Sequence, residues 1–293
     1  MNQYPHVAGA FQHVFNMPDE DRMRFIDEDR WVPYSAAKEI VDELVELLRM
    51  PRRNKMDCLV IVGESNIGKT QLIRQFVKEH GQPYVAGDET IFPVVLVESP
   101  ATPSEKGLLM AILESMKAPY SGRDNREKLK YQVENLFARC KVKMLIIDEF
   151  HSMGRGSPLK KQEALNIIKS LCNVLSLPIV GVGTSDVESF LSVDKQMESR
   201  FQMRRLRRWE ANRDFQKLLS GFEQTLPLRN ASNLKNGGSA ELLFELSKGN
   251  LGDLHRFLRK CAKHAIQTGA EVIDVNLIKE VRDRESRLAL GSR

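Results

Sequence analysis

The sequence predicts an α/β fold, in which helices cover a parallel β-sheet, followed by a smaller region built only of helices. Three observations predict it. Short, continuously apolar runs alternate with helical patterns, a glycine-rich turn leads from the first run into a helix, and only helical patterns follow Arg208. We therefore expect an N-terminal arm over residues 1–30, an α/β core over 31–205 and a helical lid domain over 206–293.

The core begins with an amphipathic helix over Ser35–Arg49, whose apolar residues recur at helical spacing behind Ser35 as N-cap. The run DCLVIVG predicts a buried strand that ends at Gly63, and a helix follows over Thr70–His80. Further strands are predicted over 92–98, 142–148 and 178–183, between helices over 104–117, 126–138 and 159–175. Four more helices are predicted over 212–224, 239–247, 253–268 and 275–288.

The composition limits the class of protein. With 42% hydrophobic and 28% charged residues, the 293-residue chain has enough apolar material for a packed core, which excludes a disordered tail. Because 44 basic residues oppose 39 acidic ones, the net charge is +5, which favours an anionic partner. We find no secretory signal and no apolar run near the roughly 18 residues that span a bilayer, so we expect a cytoplasmic protein.

The cysteines and histidines carry no metal or disulfide pattern. Four cysteines are far apart in sequence and form no CxxC pair: Cys58, Cys140, Cys172 and Cys261. We expect them to be reduced and partly buried. The six histidines have no metal-ligand spacing, so we expect no structural zinc.

The turn after the first strand reads GESNIGKT and fits the phosphate-binding pattern G-x-x-x-x-G-K-[ST] at every fixed position. Its glycines let backbone N–H groups surround the phosphates of ATP, Lys69 reaches the β- and γ-phosphates, and the Thr70 hydroxyl is a ligand for Mg²⁺. The expected nucleotide contacts are Gly63, Glu64, Ser65, Asn66, Ile67, Gly68, Lys69, Thr70 and Gln71.

A second motif, MLIIDE, places two acids at the carboxyl end of a buried strand and resembles a Walker B strand. Ligands bind at that end of parallel strands, so Asp148 can hold the Mg²⁺ while Glu149 orients and activates the attacking water. The simpler interpretation, a pair of solvated acids closing a strand, is disfavoured by the phosphate-binding turn upstream.

The strand over 178–183 ends in GVGTS, where AAA+ ATPases place the polar residue called sensor 1. Thr184 is therefore the candidate to contact the γ-phosphate or the water. The alternative is that Thr184 or Ser185 caps the helix beginning near Asp186, and the two residues can divide these roles.

Five arginines and no acid occur between Arg200 and Arg208. AAA+ subunits present an arginine finger to the γ-phosphate of a neighbour from the segment after sensor 1, and on this basis Arg200 is the first candidate and Arg204 the next. A solvated basic face at the start of the helical domain is the alternative.

The sequence carries the motifs GESNIGKT, MLIIDE, GVGT and ESRF, with WVPY upstream of them and the stretch from SNLKNGG to GNLGDL downstream. On these motifs, over roughly residues 30–285, it resembles the TniB/TnsC AAA+ regulators of DNA transposition. The resemblance implies a bacterial AAA+ P-loop NTPase that binds ATP and Mg²⁺ and forms a homo-oligomer, a ring or helical filament, around double-stranded DNA. It would recruit a DDE transposase (TniA/TnsB-like) and a TniQ-like targeting protein, and ATP hydrolysis would reset the assembly.

The resemblance also implies further contacts. DNA phosphates would meet loops after the second strand and the following helix, which makes Lys106, Lys117 and Arg123 the candidates. The segment before the first core helix lines the adenine pocket in many AAA+ proteins, so Trp31, Val32 and Tyr34 are candidates there, with core packing as the alternative.

The sequence departs from the family at the sensor 2 position. Family members often carry an arginine after the second glycine of this motif, whereas here Gly252 is followed by Asp253, and Arg256 lies about one turn later. We expect Arg256 to replace it and ATP hydrolysis to be slow. The departure favours one alternative, a nucleotide-gated adaptor with little turnover. An AAA+ protein of the replication-initiator or helicase-loader type is a further alternative.

Overall fold

The computed structural model describes residues 4–53, 55–100 and 104–291. In chain order the helices are a 3₁₀ helix Gly9–Asn16, α1 Asp19–Asp27, α2 Ser35–Arg49, α3 Lys69–His80, α4 Glu105–Ser115, α5 Arg126–Arg139, a 3₁₀ helix Phe150–Gly154, α6 Pro158–Leu175, α7 Asp186–Leu191, α8 Lys195–Arg200, α9 Arg213–Glu223, α10 Gly237–Ser247, α11 Leu251–Gln267 and α12 Val275–Gly291. The strands are β1 Cys58–Gly63, β2 Tyr84–Ala86, β3 Glu89–Ile91, β4 Val94–Glu98, β5 Met144–Asp148, β6 Ile179–Gly183 and β7 Phe201–Leu206.

The chain divides into two compact units, which are described separately. The first, residues 36–207, is an α/β unit with a five-stranded parallel sheet in the order β4-β5-β6-β1-β7. Strands β2 and β3 form a separate antiparallel hairpin. Because β6 lies between β1 and β5, the carboxyl ends of these three strands meet at one edge of the sheet, the position where ligands bind in folds of this class.

Burial on both faces explains why the central strands read as continuous apolar runs. The first four residues of β5 and all five of β6 are buried, and helices α4, α5 and α6 contribute to the same hydrophobic cluster. The sequence predicted these strands because a strand covered on both faces has no polar alternation.

Strand β7 was not predicted. The segment after Arg200 was expected to lead into the helical domain, but it pairs in parallel with β1 from Phe201 opposite Cys58 to Leu206 opposite Gly63. Only Phe201 and Leu206 of this edge strand are buried, so its polar middle gives no apolar run. The strand continues to Leu206, one residue beyond the expected boundary.

The second unit comprises the described residues up to 35 and those from 208 onward, and it is helical. Its core includes Ile26 and Val32 together with apolar residues of α9 to α12. Arg22 is fully buried and makes a double hydrogen bond with the carboxylate of Glu271, at 2.7 and 2.6 Å. The segment expected to be a separate arm therefore packs as part of this helical unit, through contacts between residues far apart in sequence.

Within the described ranges, none of the helices combines the length and the apolar character needed to cross a bilayer.

Candidate nucleotide-binding site

The glycine-rich turn between β1 and α3 has the backbone that a phosphate cradle needs. Gly68 has a φ of 96° and Asn66 a φ of 65°, so both lie in the left-handed region, which side-chain-bearing residues rarely occupy. A Cβ atom on Gly63 would come within 2.8 Å of Ile67 Cγ2 and of the Leu206 carbonyl oxygen. The turn is thus closed against β7, and the N-terminus of α3 begins directly after it.

Lys69 is the first residue of α3 and is buried. Its Nζ donates to the carbonyl oxygens of Gly63 at 2.9 Å and Glu64 at 2.7 Å, which holds the ammonium group inside the turn. Burial lowers the pKa of Lys69 below the ordinary lysine value, while the carboxylates of Glu149 and Asp148 oppose this shift. The two acids at the end of β5 therefore act electrostatically on the lysine of the turn.

Thr70 and Asp148 come together although they are 78 positions apart: the Thr70 hydroxyl donates to Asp148 Oδ2 at 2.9 Å. The other oxygen, Oδ1, accepts from the backbone N–H of Glu149 at 2.8 Å. Hydroxyl and carboxylate oxygens are ligands that Mg²⁺ prefers, and Mg²⁺ in phosphate sites keeps only one or two protein carboxylates. Among the described residues no cluster of three or more His, Cys, Asp or Glu forms a metal site. One hydroxyl and one carboxylate, as Thr70 and Asp148 provide, fit a Mg²⁺ shared with phosphates and water.

Glu149 follows Asp148 with a φ of 52°, a backbone conformation that is rare for a glutamate. Its side chain is 47% exposed, at the carboxyl edge of the sheet. A carboxylate that is accessible to water and held on a strained turn is suited to general-base chemistry.

Thr184 directly follows β6, between the ends of β1 and β5. Its hydroxyl donates to Asp186 Oδ2 at 3.3 Å. Ser185 is the residue before α7, and it makes no side-chain capping bond. Capping of α7 by the Ser185 hydroxyl is therefore not observed, and Thr184 lies on the edge that carries Asp148 and Glu149.

The two arginine-finger candidates have different surroundings. Arg200, at the end of α8, is partly buried and donates through one nitrogen to Asn173 Oδ1 at 3.0 Å. Arg204 makes two bonds of 2.6 Å to the carboxylate of Glu43. Arg204 is therefore tied within its own unit by a bidentate ion pair, while the described partners of Arg200 are the Asn173 amide and the Cys172 thiol.

Four predicted nucleotide contacts belong to the helical unit. Val32 is buried, and Trp31 and Tyr34 have ring centroids 5.9 Å apart. Tyr34 also meets Trp209 edge-on at 5.1 Å, a contact that sequence reasoning missed. Val32 belongs to the core of the helical unit, and Tyr34 and Trp209 pack against this core, which is the packing role that the alternative interpretation described.

Arg256 is the fourth of these residues and lies on α11. Its guanidinium pairs with Asp253 at 3.4 Å, and the Asn250 side chain caps the helix by accepting from the N–H groups of Gly252 and Asp253. Asn250 is therefore the N-cap of α11, and Asp253 lies in its first turn.

Two of the three expected DNA contacts lie close together. Lys106, in the first turn of α4, donates to the Gly122 carbonyl oxygen at 2.7 Å, and Gly122 precedes Arg123. Lys117 lies two residues beyond Ser115, at the other end of α4, and this 11-residue helix is about 16 Å long at 1.5 Å per residue. Lys106 and Lys117 therefore lie at opposite ends of α4.

Sequence reasoning missed His151 and Arg155, which follow Glu149. His151 Nδ1 lies 3.3 Å from Glu149 Oε2, and Arg155 Nη2 lies 3.3 Å from His151 Nε2. The motif DEFH could have indicated His151, but the direction of its ring is decided by the 3₁₀ helix Phe150–Gly154.

Comparison with known proteins gives one family and a set of related folds. Residues 22–211 match the family described as bacterial TniB protein. The chain resembles the ORC2 protein of Aeropyrum pernix solved as ADPNP-ADP complexes, at 20% identity over 89% of this chain and 71% of that chain, with a TM-score of 0.62.

Two other solved structures have the same fold. Cdc6p from Pyrobaculum aerophilum is 15% identical over 88% of this chain and 68% of that chain, with a TM-score of 0.61. Drosophila ORC bound to DNA is 10% identical over 90% of this chain and 64% of that chain, with a TM-score of 0.57. No curated protein matches the sequence. At these identities the likeness concerns the fold, an AAA+ α/β unit accompanied by helices.

Proposed function

This chain belongs to the bacterial TniB family, and we propose that it is an ATP-hydrolysing AAA+ regulator of DNA transposition that assembles on double-stranded DNA. The observation that carries the proposal is the bond between Thr70 and Asp148 beside the glycine-rich turn. It joins a hydroxyl and a carboxylate suited to Mg²⁺ at the edge of the sheet where Lys69 and Glu149 also lie. The Aeropyrum pernix ORC2 structure, which contains ADPNP and ADP, supports nucleotide binding by this fold.

Each group of the site has a role in hydrolysis. Glu149 accepts a proton from water as the water oxygen forms a bond to the γ-phosphorus, and the bond from that phosphorus to the β–γ bridging oxygen breaks. The products are ADP and inorganic phosphate. Lys69 exchanges its bonds to the turn carbonyls for the β- and γ-phosphates, and Thr184 contacts the γ-phosphate or the water. Thr70 and Asp148 would hold Mg²⁺, which supplies charge stabilisation to the phosphates.

Assembly would complete the site. We assign Arg200 as the finger that reaches the γ-phosphate on a neighbouring subunit of a ring or filament, because its described partners are an amide and a thiol, whereas Arg204 would have to break a bidentate ion pair with a carboxylate. Arg200→Ala should retain nucleotide binding and lose DNA-stimulated turnover by a factor on the order of 10³. Arg204→Ala is the matched control, and equal losses in both variants would contradict the assignment.

The DNA contact would be made through phosphates. Lys106 and Arg123, which lie close together, are assigned to one strand contact and Lys117 to a separate one. Phosphate contacts carry no base preference, which suits a protein that loads at many targets. The structure of Drosophila ORC bound to DNA supports such a use of this fold. A DDE transposase and a TniQ-like protein are the proposed partners, in the bacterial cytoplasm.

Electron microscopy of the protein on random-sequence duplex DNA tests the proposal, with ATP, a non-hydrolysable analogue, ADP or no nucleotide. We expect rings or filaments with ATP or the analogue and none with ADP. Lys69→Ala should abolish nucleotide binding and assembly, and Glu149→Gln should bind and assemble but persist on DNA, with turnover lowered about 10²- to 10⁴-fold. Assembly of Lys69→Ala equal to that of the native protein would refute the mechanism.

The pairing of Asp253 with Arg256 favours a second candidate function, a nucleotide-gated adaptor that binds ATP but hardly hydrolyses it. The cation assigned to the phosphates is already paired with an acid one turn away on α11. Phosphate release measured with and without DNA separates the two functions, since an adaptor would assemble with ATP and release no phosphate above background.

A further inference from the structure

His151 is buried beside Glu149 and has no part in the chemistry described so far. It lies in the 3₁₀ helix Phe150–Gly154, directly after the end of β5, and is 9% exposed. Its two ring nitrogens face groups of opposite charge. Nδ1 lies 3.3 Å from Glu149 Oε2, and Nε2 lies 3.3 Å from Arg155 Nη2.

This arrangement determines which nitrogen carries the proton. A guanidinium group can only donate hydrogen bonds, so Nε2 must accept from Arg155, and the proton of the neutral ring is then on Nδ1. Nδ1 is buried, and at 3.3 Å from Glu149 Oε2 it does not form a hydrogen bond with this oxygen. Among the residues that the structure describes, Nδ1 has no other partner. A small rotation of the exposed Glu149 side chain would satisfy both groups.

The ring is also held by the end of β6. A Cβ atom built on Gly183 would lie 3.2 Å from His151 Nδ1 and 3.0 Å from the His151 backbone nitrogen, so the imidazole packs where Gly183 has no side chain. Gly183 is followed by Thr184, the sensor candidate. The position of His151 therefore depends on the same strand end that carries Thr184.

We propose that His151 is a positioning residue for ATP hydrolysis: its Nδ1–H donates to Glu149 Oε2 and orients the carboxylate so that Oε1 accepts the proton of the attacking water. Arg155 acts on Glu149 through His151 by keeping the proton on Nδ1. The inference rests on the role proposed above for Glu149 as the water-activating group.

A matched pair of substitutions tests the proposal. The amide nitrogen of asparagine takes the place of Nδ1, whereas that of glutamine takes the place of Nε2. His151→Asn should therefore keep turnover within about threefold of the native protein, and His151→Gln should lower kcat about 10- to 100-fold, the range expected when a reacting group is misplaced. Both variants should bind a fluorescent ATP analogue with unchanged affinity, because His151 contacts Glu149 rather than the glycine-rich turn.

Arg155 provides a second test that does not disturb the core, because its side chain is exposed. Arg155→Ala should lower kcat at unchanged affinity for the ATP analogue, and Arg155→Lys, which retains a donor, should restore it. If circular dichroism and thermal unfolding show that His151→Gln does not fold, the two Arg155 variants test the positioning role of His151 in its place.

Glu149→Gln, assayed in parallel, separates the inference from the function on which it rests. If Glu149→Gln hydrolyses ATP at the native rate, the proposed role of Glu149 is wrong and the inference falls with it. If Glu149→Gln is inactive while folded His151→Gln and Arg155→Ala turn over at the native rate, the positioning role alone is refuted. Equal losses of kcat in the asparagine and glutamine variants would also refute it.

Discussion

Arg22 offers the sharpest test of how the helical unit is built. Its side chain is fully buried, and it contacts both oxygens of Glu271, whose side chain is 12% exposed, together with the Pro227 carbonyl oxygen at 2.7 Å. Arg22→Ala would leave the Glu271 carboxylate without its main cation and the carbonyl oxygen without its donor. Breaking one partner of a buried pair costs about 3–5 kcal/mol of the free energy of unfolding.

Tryptophan fluorescence during urea unfolding measures this loss of stability in the helical unit. The chain has two tryptophans, Trp31 and Trp209, and both belong to the helical unit, so the signal follows that unit. The free energy of unfolding falls by roughly 1–3 kcal/mol per molar urea, so the unfolding midpoint of Arg22→Ala should be lower by more than about 1 M.

The matched control is Asp19→Asn. Asp19 also pairs with Arg22 at 2.8 Å, but its side chain is 61% exposed, so its removal should cost less than about 1 kcal/mol. Arg22→Ala combined with Glu271→Ala should recover part of the loss, because no unpaired charge is then buried. An Arg22→Ala midpoint that matches the Asp19→Asn midpoint would refute the reasoning.

Three further predictions concern single groups. Thr70→Ala should raise the Mg²⁺ concentration needed for half-maximal ATP hydrolysis, while Thr70→Ser, which keeps the hydroxyl, should not. A magnesium titration in which Thr70→Ala needs the same concentration as the native protein would contradict the metal assignment. Burial raises the pKa of Tyr34 to about 12, so its neutral form is favoured in the folded state; its contribution to stability is present below pH 10 and is lost as the pH rises through 12. The fall in unfolding midpoint between pH 9.5 and 11.5 should therefore be smaller in Tyr34→Phe, and equal falls would refute this. Iodoacetamide should modify Cys140 before Cys261. Burial raises the thiol pKa of both, but Cys140 is only partly buried, whereas Cys261 is fully buried and its pKa rises to about 12. Mass spectrometry of digested native protein checks the order, and earlier labelling of Cys261 would contradict it.

The local geometry of the candidate nucleotide site could largely be predicted from the sequence because its parts are close together in the chain. The turn from Gly63 to Thr70 needs glycine where φ is positive and a strand and helix on either side, and all of these lie within a short stretch of chain. Strands β5 and β6 were readable because each is buried on both faces and so is apolar throughout. The parallel order of the sheet then brings the ends of these segments together.

The contacts that the sequence did not reveal are those whose partners are chosen by packing. The β7 strand is decided by its pairing with β1, since only its two end residues are buried. The orientation of His151 toward Glu149 depends on the 3₁₀ helix and on the missing side chain of Gly183.

The sequence by itself determined the α/β class, the glycine-rich turn after β1 and the two acids at the carboxyl end of β5, because these depend on short-range backbone geometry and on the burial of whole strands. The tertiary structure alone decided that Arg22 meets Glu271 across 249 positions, that Arg204 is tied to Glu43 while Arg200 contacts the Asn173 amide, and that His151 faces Glu149. Polar pairs of this kind leave no periodic signal in the sequence. A charged residue can be either solvated or paired with a distant residue, and only the fold decides which of the two occurs.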